Sequence, residues 1–174
     1  MPTACAAGTA TGLTLRPALL EDSALLFAWR NLPEIVELST TQRTVTWEEH
    51  IAWFAQTLRS DIRLLRLLLW NGQPVGQVRF DRSGIASCQV SLYLLPAFTG
   101  RGLGVSALRQ ACAEVFQQWE VAEIVAHIRA ENVRSLSAFA KAGFTPVSEP
   151  DKDVPKGHRA LHLISAPEKE TQRE

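Results

Sequence analysis

The chain has 174 residues, 46% of them hydrophobic, with 18 basic and 18 acidic side chains and no formal net charge. That length and apolar content suit one domain with its own core. The charge balance argues against general electrostatic capture of nucleic acid or of an anionic membrane. Cys5, Cys88 and Cys112 form no C-x-x-C pair and are odd in number, so a disulfide framework and a zinc site are both poor readings. Cys88 and Cys112 read as small apolar fillers in a reducing compartment. Residues 1–12 lack a basic start and a long apolar run, and read as a flexible N-terminus and not a signal peptide. The most apolar run, Leu64 to Trp70, is broken by Arg66 and too short to span a bilayer. A cytoplasmic protein is expected.

Taken in chain order, Leu13 to Pro17 alternates and reads as a first strand. Asp22 to Leu32 reads as a helix with Leu25, Ala28, Trp29 and Leu32 on its apolar stripe, ended or bent by Pro33. Thr46 and Glu49 fit a capping box, so a helix should run to about Arg59 and bury Ile51, Phe54, Ala55 and Leu58. Arg63 to Trp70 is a leucine-rich strand. Asn71-Gly72 then signals a hairpin into a partner strand, Pro74 to Phe80. After a second turn, Cys88 to Leu95 is another strand, ended by Pro96. A glycine-rich turn, Gly100 to Gly104, opens a long helix whose apolar face runs from Leu103 to Trp119. Val121 to Ile128 is a strand. Asn132 can cap a helix that stops at Gly143. Phe144 to Val147 and His158 to Ile164 read as the last strands, and residues 166–174 as a charged flexible tail. The order gives an α/β fold, with an antiparallel first half and a βαβ crossover, in a single domain over residues 13–165.

The turn Thr99-Gly100-Arg101-Gly102-Leu103-Gly104 lies between a strand and a helix. Three glycines allow torsions and close approaches that a β-carbon blocks. The first amides of the helix point outward without internal acceptors, so the turn suits a diphosphate. Its spacing is neither G-x-x-x-x-G-K-[ST] nor G-x-G-x-x-G, because Ala107 stands at the last position of the latter.

This strand, turn and helix resemble the pyrophosphate loop of the GNAT-superfamily acyltransferases. The strand ending near Ala130, then Asn132-x-x-Ser135 and Phe139-x-Lys-x-Gly-Phe144, resemble that family's second acetyl-CoA segment. The resemblance implies a mixed, mostly antiparallel central sheet flanked by helices. It also implies transfer of an acetyl group from acetyl-CoA, as cosubstrate, to a primary amine, with no metal. Backbone amides of Arg101, Gly102, Leu103, Gly104 and Val105 would hold the pyrophosphate. Leu92, Tyr93 and Leu94 would pair with the pantetheine arm, Asn132 would contact it, and Phe139 would line the same slot. A backbone N–H in that slot would stabilise the oxyanion. Thr99 stands where the family usually has Gln or Arg. Phe139 stands where many members have a tyrosine that protonates the leaving thiolate, which leaves the donor unassigned: Ser135, Ser137 or a water are the candidates, and catalysis resting on positioning and electrostatics is the alternative.

Trp29-Arg30-Asn31, His50-x-x-Trp53-Phe54 and Gly76 to Asp81 resemble the acetyltransferases of nucleotide-linked amino sugars, including those of the pseudaminic-acid pathway. Ribosomal-protein N-terminal acetyltransferases are the nearest competitors. His50 is the candidate base, with Glu34, Glu37 or Asp81 acting through water as alternatives. Arg30, Asn31, Arg79 and Trp53 are candidates for gripping the acceptor. His127, His158 and His162 are too scattered for a metal site. The expected partner is a small-molecule amine, with a homodimer left open. A non-catalytic CoA-binding module and a nucleotide-binding module of another fold are the competing readings.

Overall fold

The computed structural model of the chain describes residues 10–147 and 154–165. The expectations for Cys5, for most of the N-terminal stretch and for the charged tail lie outside those residues. Seven strands form one sheet in the order β1-β2-β3-β4-β5-β7-β6. They are β1 (Leu13–Pro17), β2 (Arg63–Trp70), β3 (Gln73–Arg82), β4 (Ser87–Leu94), β5 (Glu123–Arg129), β6 (Thr145–Pro146) and β7 (His158–Ile164). Every pairing is antiparallel except β4 with β5. The helices are α1 (Ser23–Arg30), α2 (Pro33–Leu38), α3 (Trp47–Leu58), α4 (Leu103–Trp119) and α5 (Val133–Ala142). The mixed α/β fold with a mostly antiparallel sheet is as expected.

The sheet is buried on both faces, which is why β2 reads as a leucine run and not as an alternation. Leu64 and Leu68 join the core under α4, with Val78, Phe80, Val90, Ala107, Leu108, Ala111 and Val115. Leu65 and Leu67 point the other way and pack with Leu26, Trp29 and Phe54 from α1 and α3. Cys88 of β4 and Cys112 of α4 are free and buried in the same core, and burial pushes the Cys88 thiol up to about 12.

Three local readings need correction. Pro33 does not end a helix that runs on to Leu32. It starts a separate short helix, α2, because Leu32 adopts an extended conformation that proline demands of its predecessor. The buried stripe of α1 is Leu26 and Trp29, while Leu25 and Ala28 are exposed. On α3, Ile51 and Leu58 are exposed and the buried residues are His50, Phe54 and Thr57. Both helices carry apolar residues around most of their circumference, so the neighbours they meet decide the phase. The capping box of Thr46 and Glu49 is present, with Glu49 N–H donating to Thr46 Oγ1 at 3.2 Å and Thr46 N–H to Glu49 Oε2 at 2.8 Å.

Candidate active site

On the α4 side of the sheet, the site is made of backbone. β4 and β5 pair only from Ser87 to Gln89 against Glu123 to Val125. Beyond that point the strands part, and the β4 edge from Val90 to Leu94 has no strand partner on its β5 side. The chain then passes through a short turn of 3-10 helix, Pro96–Phe98, into the glycine turn. Gly100 and Gly102 have φ of 75° and 76°, the left-handed region that favours glycine. A β-carbon on either would meet nothing within 4 Å. The turn therefore encloses open space on the side a side chain would fill.

Gly102 caps α4, and Ser106 N–H donates to Gly102 O at 3.1 Å, closing the first helical bond. The amides of Gly102, Leu103, Gly104 and Val105 precede that bond and have no intrahelical acceptor. No side chain caps them. Four outward amides at the positive end of a helix macrodipole can hold a diphosphate. Arg101 is exposed, its guanidinium 5.3 Å from the Trp70 ring centroid. Thr99 ties the turn to its surroundings: its hydroxyl donates to Pro96 O at 2.9 Å and accepts from Arg134 of α5 at 3.2 Å.

Across the splay, Asn132 caps α5 through Oδ1, which accepts Ser135 N–H at 3.1 Å. That bond uses the acceptor end of the carboxamide and leaves Nδ2 as the end able to donate to a ligand. Ser135 is half-buried in the first turn of α5. Phe139 is 3% exposed and packs edge-on against Phe144 at 4.9 Å, in the core and not along the slot where it was expected. An aromatic ring at this helix position is drawn inward by the second ring that follows the Gly143 cap.

On the other face of the sheet, the site is made of side chains. A cavity of about 290 Å³ is lined by Leu26, Arg30, Arg43, Val45, Glu49, His50, Trp53, Gln77, Arg79 and Tyr93. Five separate stretches of chain supply these groups. Arg30 comes from the end of α1, where its Nη2 donates to Thr41 Oγ1 at 3.2 Å and its buried Nη1 has no partner among the described residues. Burial and the like charges of Arg43 and Arg79 lower its pKa from the ordinary arginine value. Arg79 donates to Asp81 at 2.7 Å and lies 5.5 Å from the Trp53 ring centroid. Arg43 pairs with Glu49 at 3.0 Å.

His50 is 3% exposed and ringed by Phe27, Trp47, Trp53 and Phe54. Burial holds its pKa below the ordinary histidine range, against a smaller opposing pull from the Ser23 backbone. Its Nε2 is buried without a partner among the described residues. A neutral imidazole that spends its N–H on Ser23 keeps a lone pair on Nε2. Tyr93 reaches this cavity with its side chain, and burial raises its phenol, so the hydroxyl stays protonated.

The structure gathers Arg30, His50, Trp53 and Arg79 in one cavity. It does not place Asn31 among them. Asn31 clamps the loop before α3 instead, donating to Val45 O at 2.9 Å and accepting Val45 N–H at 2.8 Å. Glu34 and Glu37 are exposed on α2, and Asp81 is committed to Arg63 and Arg79. Sequence reasoning missed Arg43, Gln77 and the Tyr93 side chain. The period-two alternation of β3 and β4 puts Gln77, Arg79 and Tyr93 on one face and was the signal available. Among the described residues, no group of three or more His, Cys, Asp or Glu could hold a metal ion, and no helix is long and apolar enough to cross a membrane.

Residues 12–145 match the acetyltransferase (GNAT) domain family. The chain is 25% identical over 133 residues to acetyltransferase PseH of Campylobacter jejuni, covering 76% of this chain and 82% of that protein. The crystal structure of C. jejuni PseH with acetyl coenzyme A aligns with a TM-score of 0.66 and 20% identity, over 88% of this chain and 99% of that one. Aminoglycoside acetyltransferase AAC(6')-Ib with coenzyme A and kanamycin aligns at 0.75 and 21% identity, over 87% and 94%. Spermidine N-acetyltransferase from Vibrio cholerae with CoA and spermine aligns at 0.79 and 14% identity, over 88% and 96%. A splayed strand pair beside a glycine-capped helix, on a chain matched over most of its length, leads to one class: this protein belongs to the GNAT acetyltransferases and is an acetyl-CoA-dependent N-acetyltransferase.

Proposed function

We propose that the acceptor is the primary amine of a nucleotide-linked amino sugar, bound in the cavity between α1, α3 and β3. The observation that carries this reading is the charge of the cavity. Three arginines line it; Arg43 is paired with Glu49 and Arg79 with Asp81, so Arg30 is the cavity arginine with no carboxylate partner among the described residues. A buried guanidinium nitrogen without a partner calls for an anionic or strongly accepting ligand. A nucleotide diphosphate supplies the anion, and Trp53 supplies a face for a base or sugar ring. The same charges oppose polycationic acceptors such as aminoglycosides and polyamines. They also lower the pKa of a bound ammonium and favour the neutral, nucleophilic amine.

In this reading the amides from Gly102 to Val105 hold the CoA diphosphate, with the turn at Arg101 beside them. The free β4 edge at Leu92 to Leu94 pairs with the pantetheine arm, and Asn132 donates to it. A backbone N–H of that edge receives the oxyanion. His50 Nε2 takes the proton released by the attacking amine. Ser135, at the start of α5, or a water returns a proton to the thiolate, because Phe139 has none to give. A cytoplasmic location is the reading that these proposed substrates support. The test is a rate comparison with acetyl-CoA and four acceptors: a UDP-linked 4-amino-4,6-dideoxyhexose, kanamycin, spermidine and an N-terminal ribosomal peptide. The sugar should be acetylated fastest. Faster turnover of any of the other three overturns the reading.

A further inference from the structure

Gln77 sits on β3 opposite Tyr93 of β4 and opposite Leu67 of β2. It is 8% exposed and lines the cavity. Its carboxamide makes no hydrogen bond with any described residue. The sheet face beneath it is apolar: Leu67 has no exposed surface and Leu26 has almost none. Its neighbour Gly76 fixes where it stands. A β-carbon on Gly76 would lie 2.3 Å from Tyr93 O and 3.0 Å from Leu94 Cα, so β3 and β4 approach closely at this point. Gln77 is thereby held in register with the β4 segment whose other edge opens into the splay.

Amine attack makes a demand that a neutral acceptor in the cavity can meet. The neutral amine carries two N–H bonds and a lone pair. The C–N bond forms as the thioester C–S bond breaks, one amine proton passes to His50, and a proton reaches the thiolate. The other N–H stays in the product amide. Anchoring that N–H aims the lone pair at the carbonyl. Arg30, Arg43 and Arg79 only donate, and Glu49 is taken up by Arg43 and by Thr46 N–H. A free carboxylate here would also stabilise the unreactive ammonium. A neutral amide oxygen accepts without doing so.

We infer that Gln77 is a positioning residue whose Oε1 accepts an N–H of the attacking amine. The inference rests on the cavity being the acceptor site. Steady-state rates with acetyl-CoA and a UDP-linked 4-amino-4,6-dideoxyhexose test it in Gln77→Leu, Gln77→Glu and Trp53→Ala. Gln77→Leu should lower kcat about 100-fold, the cost of a misaligned nucleophile, with KM for acetyl-CoA unchanged. Gln77→Glu should keep more of the rate at high pH and shift the rising limb of its pH profile upward, which a structural role would not do. Gln77→Met serves as the apolar variant if the leucine protein does not fold. A leucine or methionine variant with kcat within threefold of the parent overturns the inference, as does an unshifted profile in Gln77→Glu. Trp53→Ala reports on the cavity itself and should raise the acceptor KM. If it does so while the Gln77 variants stay normal, only this inference falls. An unchanged acceptor KM in Trp53→Ala, or no turnover of this sugar by the parent enzyme, removes the acceptor reading and the inference with it.

Discussion

The two halves of the candidate site are built from different materials. The donor half uses backbone: two glycines at positive φ, four uncapped amides at the start of α4, and a strand edge left open where β4 and β5 part. The acceptor half uses side chains from α1, the following loop, α3, β3 and β4. Backbone groups are the same whatever residue bears them, so a donor site of this kind can persist while the surrounding sequence drifts. A side-chain cavity changes its ligand with each substitution. The difference explains how proteins aligned with this one can carry kanamycin or spermine beside CoA on the same fold. Under the proposed function, the arginines of the second half select the acceptor.

Substitutions should separate the halves. The largest effect is expected from Gly102→Val, which puts a β-branched residue at φ 76° and fills the open side of the turn. Losing several charge-assisted bonds from the helix amides should weaken acetyl-CoA about 1,000-fold by calorimetry, with acceptor-side ligands still bound. Unchanged acetyl-CoA affinity would remove the glycine turn from the donor site.

His50→Gln should reduce kcat about 100-fold and erase the acid limb of the pH profile. In the parent enzyme that limb lies below the ordinary histidine value of 6.5, because burial lowers the pKa. The same shift sets a stability trend. Below 6.5 the unfolded chain binds a proton that the folded one resists, so stability present above that pH is lost as it falls. A pH profile that survives His50→Gln intact would assign the base elsewhere.

Arg30→Met should raise the acceptor KM about 10-fold and leave the acetyl-CoA KM alone, since one charged hydrogen-bond partner is lost. Thermal stability should hold or rise, because a guanidinium with an unpartnered buried nitrogen is replaced by an apolar chain. A fall in stability with no change in KM would make Arg30 structural. The smallest effect belongs to Phe139→Tyr. Its ring is core-packed on Phe144, so a hydroxyl there should cost about 1 kcal/mol by denaturant titration, as burying an unpaired hydroxyl does. Turnover should stay within about twofold, since the residue is placed for packing and not for proton transfer. A large gain in rate would show that the slot reaches this position after all.

The same division governs what could be read from the residues alone. β2 and β7 have the expected ends, Asn132 caps α5 as expected, and Gly143 ends it at φ 108°. These features depend on local chemistry: a β-rich run, a capping side chain, a residue free to turn left-handed. The glycine turn was legible for the same reason. The acceptor cavity was legible only in fragments. Arg30, His50, Trp53 and Arg79 were picked out, but Asn31 beside them went to a loop clamp. Tyr93 was noted for its backbone, while its ring faces the other side of the sheet. The phase of α1 and α3 was misjudged, because Leu25, Leu26, Phe27 and Trp29 offer several plausible apolar stripes. Which stripe is buried depends on a sheet face that Leu65 and Leu67 of β2 supply from outside either helix.

The most direct test of a backbone-built donor site beside a separate cationic acceptor site is calorimetric titration with acetyl-CoA and with UDP, each alone and then each in the presence of the other. The account predicts that both bind at once, and that Arg79→Ala weakens UDP while leaving acetyl-CoA untouched. Mutual displacement of the two ligands, or acetyl-CoA binding with no UDP binding at all, would contradict it.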